Sequence, residues 1–125
     1  MPSKNRRSEY IVKFFAIIMN TKDLQSLVVM PLREVFAPTR IILFGSHAWG
    51  NPDSNSDVDI CVLVRSSEIS PLQRAVAAHK ALGALPFAKD ILVQTDAEFE
   101  RYSTVEGTLQ HRIAHEGQVL YDHAS

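Results

Sequence analysis

Residues 40–64 read RIILFGSHAWGNPDSNSDVDICVLV, and the predicted fold depends mainly on this segment. It contains two short apolar runs, at 40–44 and 57–64, whose β-branched residues predict two strands. Between them, residues 46–49 fit a brief helix, and residues 50–56 are dense in turn-forming residues. The stretch therefore predicts a strand, one helical turn, a loop and a second strand.

The sequence on either side continues this alternation of helix and strand signals. Before the first strand, apolar spacing predicts a helix from Thr21 or Asp23 to about Phe36, with a kink at Pro31. After the second strand we expect a helix, a strand, two helices and a short extended piece, at 71–82, 87–94, 96–102, 104–116 and 119–121. The pattern predicts one α/β domain.

Composition narrows the class of protein. The 125 residues are 46% hydrophobic and 22% charged, which is typical of a soluble globular domain. Thirteen Lys and Arg against fourteen Asp and Glu give a net charge of −1, so a purely electrostatic nucleic-acid binder is not expected. Cys61 is the one cysteine, which excludes an internal disulfide and favours a cytosolic protein.

The N-terminus combines basic residues with the apolar run 10–19, a pattern that resembles a signal peptide. However, Lys13 interrupts the run, no small-x-small cleavage site follows Met19, and the run is too short to span a bilayer. We therefore interpret residues 1–20 as an N-terminal helical extension, laid on the domain or on a partner, and residues 21–125 as the domain. No membrane association is expected.

Two motifs carry the chemistry. Gly45 and Ser46 lie where a predicted strand meets a helix, a place where backbone N–H groups converge and can bind an anion. Glycine lets a phosphate approach the backbone closely, and the serine hydroxyl can donate to a phosphate oxygen. Farther along the chain, Asp57 and Asp59 point to the same face of the second strand, because side chains alternate along a strand.

Two carboxylates so close together repel each other unless a cation lies between them. Magnesium prefers such oxygen ligands together with the phosphates of its substrate. A third acid, Asp90, opens the otherwise apolar third strand, where it has no packing role. If that strand lies beside the second, Asp90 completes a three-carboxylate cluster; otherwise it is a solvent-facing strand start. Each motif alone is common, and their combination is what points to a site.

This combination resembles the DNA polymerase β-type nucleotidyltransferases. The short length and the ending HRIAHEGQVLY at 111–121 are similar to the minimal nucleotidyltransferase (MNT) branch. The resemblance covers roughly residues 23–121. Members often have an arginine before the second glycine of the Gly-Ser-x-Ala-Arg-Gly stretch, whereas this chain has Trp49 before Gly50. Tryptophan keeps the bulk of that position but not its charge.

The resemblance implies a small mixed sheet flanked by helices and Mg²⁺-dependent transfer of a nucleotide from a triphosphate. It implies that Asp57, Asp59 and Asp90 are the catalytic metal ligands for two Mg²⁺ ions and that Gly45 and Ser46 contact the triphosphate. It further implies ATP as donor, and as acceptor a tyrosine hydroxyl of a partner HEPN-domain toxin, so that the chain acts as an antitoxin by adenylylation.

Two alternatives stay open at this point. The chain could be a non-catalytic nucleotide-binding or steric antitoxin subunit, although three carboxylates favour activity. It could instead transfer the nucleotide to a small molecule. Other candidates have simpler interpretations: Cys61 is expected to be a buried core residue, and His111 and His115, four apart on a predicted helix, have no third metal ligand nearby in the sequence.

Overall fold

The computed structural model describes residues 24–50, 57–85 and 87–124. Four strands in these ranges form one sheet in the order β3-β2-β1-β4. Strand β1 is antiparallel to β2 and β4, whereas β2 and β3 are parallel. The strands are β1 (Arg40–Phe44), β2 (Val58–Val64), β3 (Lys89–Thr95) and β4 (Gln118–Asp122). The predicted α/β class, with a small mixed sheet flanked by helices, is confirmed.

Helices connect the strands in the predicted order. A π-helical segment, Gln25–Val29, leads into the first α-helix, and Pro31 lies in the first turn of that helix, where its missing N–H is tolerated. The predicted kink therefore takes the form of a change from π- to α-helix. The α-helices are α1 (Met30–Phe36), α2 (Ser46–Trp49), α3 (Pro71–Leu82), α4 (Asp96–Ser103) and α5 (Leu109–Glu116).

Alternating side chains divide the core between the two faces of the sheet. The first face packs under the π-helical segment, α1 and α3, and its buried sheet residues are Ile41, Leu43, Val58, Ile60, Val62, Val64, Ile91, Val93 and Leu120. The second face meets Phe99 of α4 and Ile113 of α5, and its sheet residues are Ile42, Phe44, Cys61, Leu63 and Leu92. Because β2 lies between neighbours and under both layers, its sequence reads as an almost continuous apolar run.

Cys61 is fully buried in the second-face core, as expected from its place in the strand. Burial raises the pKa of the thiol to about 12. The thiolate form is therefore scarce at neutral pH, and Cys61 contributes packing volume and not reactivity.

The last helix is shorter than predicted. The sequence predicts a helix over 104–116, but α5 begins at Leu109 because Thr108 caps it, its hydroxyl oxygen accepting from the His111 N–H at 3.1 Å. The helix ends at Gly117, where a Cβ would lie 2.5 Å from the carbonyl oxygen of Ile113. The glycine is therefore required by space, since its φ of −71° suits any residue. The short extended piece expected at 119–121 is the edge strand β4.

Residues 1–20, predicted to be a helical extension, lie outside the described residues. Within the ranges that are described, no helix has the length and apolar character needed to cross a bilayer.

One buried arginine joins α3, β3 and α4. Arg74 donates to the carbonyl oxygens of Ile69 and Val93, at 3.0 and 3.3 Å, and to the Glu98 carboxylate at 2.7 Å. Glu98 also accepts from the backbone N–H of Thr95 at 2.7 Å, which closes a capping box at the start of α4. The backbone bond from Thr95, followed by the bond from Arg74, holds the pKa of Glu98 below its ordinary value.

We expect Glu98→Gln to lower the melting temperature at pH 7 more than at acid pH. Because the folded-state pKa of Glu98 is lowered, its stabilising effect is present above the ordinary pKa and is lost as pH falls through the folded-state value. Thermal unfolding at pH 7 and at about pH 3 measures this difference. Glu100→Gln, an exposed acid on the same helix, is the matched control. An equal loss at both pH values would contradict the role given to the ionised carboxylate.

Candidate active site

The site begins at Gly45, which connects β1 to α2. Its φ of 76° and ψ of −165° lie outside the range that other residues readily adopt. A Cβ at this position would lie 2.9 Å from Cγ of Asp59 and closer still to one of its carboxylate oxygens. The backbone of Gly45 and the carboxylate of Asp59 are therefore in direct contact, and a side chain at position 45 would displace the acid.

The second acid lies beside the first. Asp59 and Asp90 are register partners on the parallel strands β2 and β3, and Asp59 is also paired with Phe44 at the end of β1. Residues paired in this way project on the same side of a sheet. Phe44 belongs to the second-face core, so both carboxylates lie on that face, at the end where β1 finishes and β2 and β3 begin.

Asp57 directly precedes β2 and is exposed, as is Asp90, whereas Asp59 is half-buried. The pKa of Asp59 is raised, first by burial and then by the negative charges of Asp90 and Asp57. The three predicted acids thus share one electrostatic environment. This like-charge repulsion is the cost that a bound cation would remove.

His47 was missed by the sequence reasoning as part of this environment. It lies on α2 next to Ser46, and its charge acts on the pKa of Asp59 in the opposite direction to the acids. The only signal in the sequence was its position beside the Gly-Ser pair. Ser46 begins α2 and is half-buried, and the backbone N–H groups of Ala48 and Trp49 both donate to the Gly45 carbonyl at 3.0 Å. These bonds hold Ser46 at the end of the sheet where Asp59 and Asp90 lie.

Trp49 packs against the second-face core and contacts a cation from α5. The guanidinium carbon of Arg112 lies 3.5 Å from the centre of the indole ring, a cation–π contact, and Arg112 also pairs with Glu116 at 2.7 Å. The indole N–H is buried and lacks a hydrogen-bond partner in the part of the chain described. A positive charge therefore lies against Trp49, although position 49 itself carries none.

His111 and His115 stack with ring centres 4.1 Å apart, and Nδ1 of His115 lies 2.8 Å from the carbonyl oxygen of His111. The two rings therefore pair on one face of α5, at the spacing seen in the sequence. They line a groove of about 370 Å³ together with Arg112, Glu116 and the turn at Gly107 and Thr108.

The acids suit Mg²⁺ chemically, since carboxylate oxygens are the hard ligands it prefers. Asp57, Asp59 and Asp90 would hold the metal, and its charge would offset the two effects that raise the pKa of Asp59, first burial and then repulsion from the other two acids. Across residues 24–50, 57–85 and 87–124, no three acidic, histidine or cysteine side chains form a ready-made cluster of metal ligands. Phosphate oxygens of a substrate would therefore complete the coordination, as is common for Mg²⁺ in nucleotide-binding sites.

We expect Gly45→Ala to destabilise the protein by more than the roughly 1–3 kcal/mol that this glycine-only backbone conformation costs another residue. The added methyl group would also collide with the Asp59 carboxylate. Gly83→Ala is the matched control, because Gly83 has a similar backbone conformation, φ 65° and ψ −154°, but no atom within 4 Å of the added methyl group. Urea unfolding measures the loss of unfolding free energy in both variants, and the difference between them reports the collision with Asp59. Equal losses would show that this collision does not occur.

Asp59→Asn should raise the melting temperature at pH 7. Because the folded-state pKa of Asp59 is raised, its protonated form favours folding at low pH, and this contribution is lost as pH rises through the folded-state pKa. Removing the charge relieves the repulsion at neutral pH, and the gain should vanish near pH 3, where both proteins are uncharged at this position. Thermal unfolding between pH 3 and pH 7 measures this change in melting temperature, with exposed Glu106→Gln as control. A lower melting temperature of Asp59→Asn at pH 7 would contradict the prediction.

Comparisons with known proteins agree with this geometry. Residues 31–125 match the polymerase beta nucleotidyltransferase family. Among solved structures, the chain is similar to a Sulfolobus solfataricus protein that is provisionally described as a nucleotidyltransferase. The sequence identity is 18%, the TM-score is 0.56, and the match covers 84% of this chain and 86% of that protein, which shows a shared fold. A search among curated proteins found no significant match. The matched region contains all three acids and the Gly-Ser pair, and the chain belongs to the polymerase beta nucleotidyltransferase family.

Proposed function

We propose that this protein transfers AMP from ATP to a hydroxyl group in a Mg²⁺-dependent reaction. The observation that carries the proposal is the pairing of Asp59 with Asp90 on adjacent parallel strands, with the backbone of Gly45 in contact with the Asp59 carboxylate. The elements that carry the Gly-Ser pair and the acids meet at this end of the sheet. A triphosphate could therefore lie against Gly45 and Ser46 while the acids face its reacting phosphate.

Each residue has a distinct role in this proposal. Asp57 and Asp59 would hold both metal ions, and Asp90 would hold the ion next to the attacking hydroxyl. The absence of a side chain at Gly45 allows the triphosphate and the Asp59 carboxylate to approach the same backbone. Ser46 would donate its hydroxyl hydrogen to a phosphate oxygen.

Bound Mg²⁺ supplies charge neutralisation at the phosphate and lowers the pKa of the attacking hydroxyl. The protein contributes position, because Asp59 and Asp90 lie on strands that are hydrogen-bonded to each other along their length. Attack on the α-phosphorus forms the new P–O bond on the acceptor, and the bond to the leaving pyrophosphate breaks.

The acceptor in this proposal is a tyrosine of a HEPN-domain toxin, and the chain acts in the cytosol as its antitoxin. The described residues form one layer of sheet between helices, without a separate acceptor domain among them, which suits an acceptor delivered by another protein. Apolar side chains also remain exposed along one side of α3 and before it: Ile69 is 44%, Leu72 75% and Val76 48% exposed. Such side chains are typical of protein contacts when they cluster. The net charge of −1 favours a protein over RNA.

Two alternatives have the same fold but differ in whether a nucleotide is transferred and to which acceptor. A steric antitoxin subunit would bind and neutralise its partner without chemistry, so Asp57→Asn would leave neutralisation intact. Transfer to a small molecule would use the same acids without any protein partner. Both are distinguished from the main proposal by whether the partner gains mass.

We expect co-expression with the neighbouring gene product to add one or more AMP units to a tyrosine of that partner, detected by intact-mass and peptide spectrometry. In the purified reaction with Mg²⁺ and labelled ATP, Asp57→Asn and Asp59→Asn should each lower transfer about 100-fold or more, since metal stabilisation of the transition state is worth several kcal/mol. Exposed Glu106→Gln should retain activity. Undiminished transfer by either variant would remove that acid from the mechanism.

A further inference from the structure

A second charged site lies at the opposite end of the sheet from the acids. It is a pocket of about 300 Å³, which we name the basic pocket, and its polar lining residues are Arg33, Thr39, Arg65, Tyr121 and His123. They come from the end of α1, the segment before β1, the residue after β2 and the end of β4. Because Asp59 and Arg65 are separated by the length of β2, the pocket is about 20 Å from the carboxylates at 3.3 Å per residue.

The two arginines of the basic pocket have no acidic partner among the described residues. The ion pairs there involve Arg74, Arg112 and His123 instead. The guanidinium carbon of Arg33 lies 4.5 Å from the ring centre of Tyr121, which holds the side chain over an aromatic face while its N–H groups keep their hydrogen-bonding capacity. Arg65 is exposed. Two guanidinium groups that line one pocket repel each other, and an anion would offset that repulsion.

The other walls of the pocket are held in place by hydrogen bonds. Both the backbone N–H and Nδ1 of His123 lie against the carbonyl oxygen of Thr39, at 3.0 and 2.9 Å. A carbonyl oxygen only accepts, so Nδ1 carries the hydrogen in this contact. The Thr39 hydroxyl donates to the Asp96 carboxylate at 2.6 Å. These contacts fix the C-terminal end of β4 against the segment that enters β1.

The acids near the pocket are already engaged by other donors. Asp96 accepts from Thr39, as described, and Asp122 accepts from the backbone N–H of Ala124 at 2.9 Å. Asp122 also lies 3.9 Å from Nδ1 of His123. Neither acid forms an ion pair with Arg33 or Arg65, so the positive charge of the two arginines is available to a ligand.

From these observations we propose that the basic pocket binds a small phosphorylated molecule. Arginine matches the geometry of phosphate oxygens and can form two parallel hydrogen bonds to them. A volume of about 300 Å³ is at the small end of ligand pockets, which suits one phosphate group with a compact organic part and not a macromolecule. The distance from the acids makes this a site separate from nucleotide transfer, so the bound molecule is neither donor nor acceptor in that reaction.

Amide chemical shifts in a two-dimensional NMR titration of the full chain test this proposal. The probes are inorganic phosphate and ribose 5-phosphate, at constant ionic strength set by sodium chloride, with a chelator present to remove divalent cations. We expect saturable shifts at residues 37–39, 65 and 121–123. Arg65→Ala should weaken the affinity about tenfold or more, since a hydrogen bond to a charged group contributes about 1.5–3 kcal/mol and 1.4 kcal/mol is tenfold.

Two controls keep the test specific. Arg101 is an exposed arginine outside the pocket, and its guanidinium carbon lies 5.5 Å from the ring centre of Tyr102. Arg101→Ala should therefore leave the affinity for phosphate unchanged. Asp59→Asn should also leave it unchanged, because the acids are at the other end of the sheet. The proposal is overturned if neither probe shifts these residues, if Arg65→Ala binds like the wild type, or if the shifts centre on residues 45–47 and 57–59.

Discussion

The contact between the backbone of Gly45 and the carboxylate of Asp59 determines how the site is built. It requires a residue without a side chain at the end of β1, and it requires β2 to pair with β1 so that Asp59 is opposite Phe44. A shift of one residue in that register would turn Asp59 to the other face and place Val58 or Ile60 against the glycine. The charge of Asp59 opposes this shift, because the other face of β2 at this position is covered by the first-face core, where Val58 and Ile60 are buried.

The division of alternate β2 side chains between the two faces of the sheet explains how one strand carries both charged and apolar groups. On β2 and β3 the second-face core ends at Cys61 and Leu92, and Asp59 and Asp90 lie two residues before them on the same face. Asp59 is only half-buried, so its charge is tolerated, but its pKa is raised by burial and by its acidic neighbours. The negative charges of the acids are thus unfavourable in the folded protein at the position where the proposed chemistry needs a cation. Sites with perturbed carboxylates of this kind are often functional.

Much of this arrangement could be predicted from the sequence, because it depends on local patterns. Alternation along β2 predicted that Asp59 faces away from the side of Val58 and Ile60, and turn and cap signals predicted α3 from Pro71. The prediction that Asp90 lies near the other acids required one assumption, that β3 lies beside β2, and the structure confirms this assumption. The start of α5 was misjudged, since Thr108 caps the helix in a segment that otherwise looked continuous.

Features that depend on long-range contacts could not be predicted. Arg112 stacks on Trp49 because α5 packs on the same face as α2, and no spacing in the sequence signals that meeting. The basic pocket likewise combines Arg33, Arg65 and His123 from three separate segments. Each is an ordinary surface residue in the sequence, and only the antiparallel pairing of β1 with both β2 and β4 brings the segments together.

The central claim, that the acids at the β1–β2–β3 end form the metal and nucleotide site, is tested most directly by paramagnetic relaxation. Mn²⁺ would replace Mg²⁺ in the presence of a non-hydrolysable ATP analogue, and amide signals of the full chain would be recorded by NMR. The account predicts that broadening is strongest at residues 45–47, 57–59 and 89–91 and much weaker at residues 121–123, and that it is lost in Asp59→Asn. Broadening centred on His111 and His115, or equal broadening in Asp59→Asn, would contradict it.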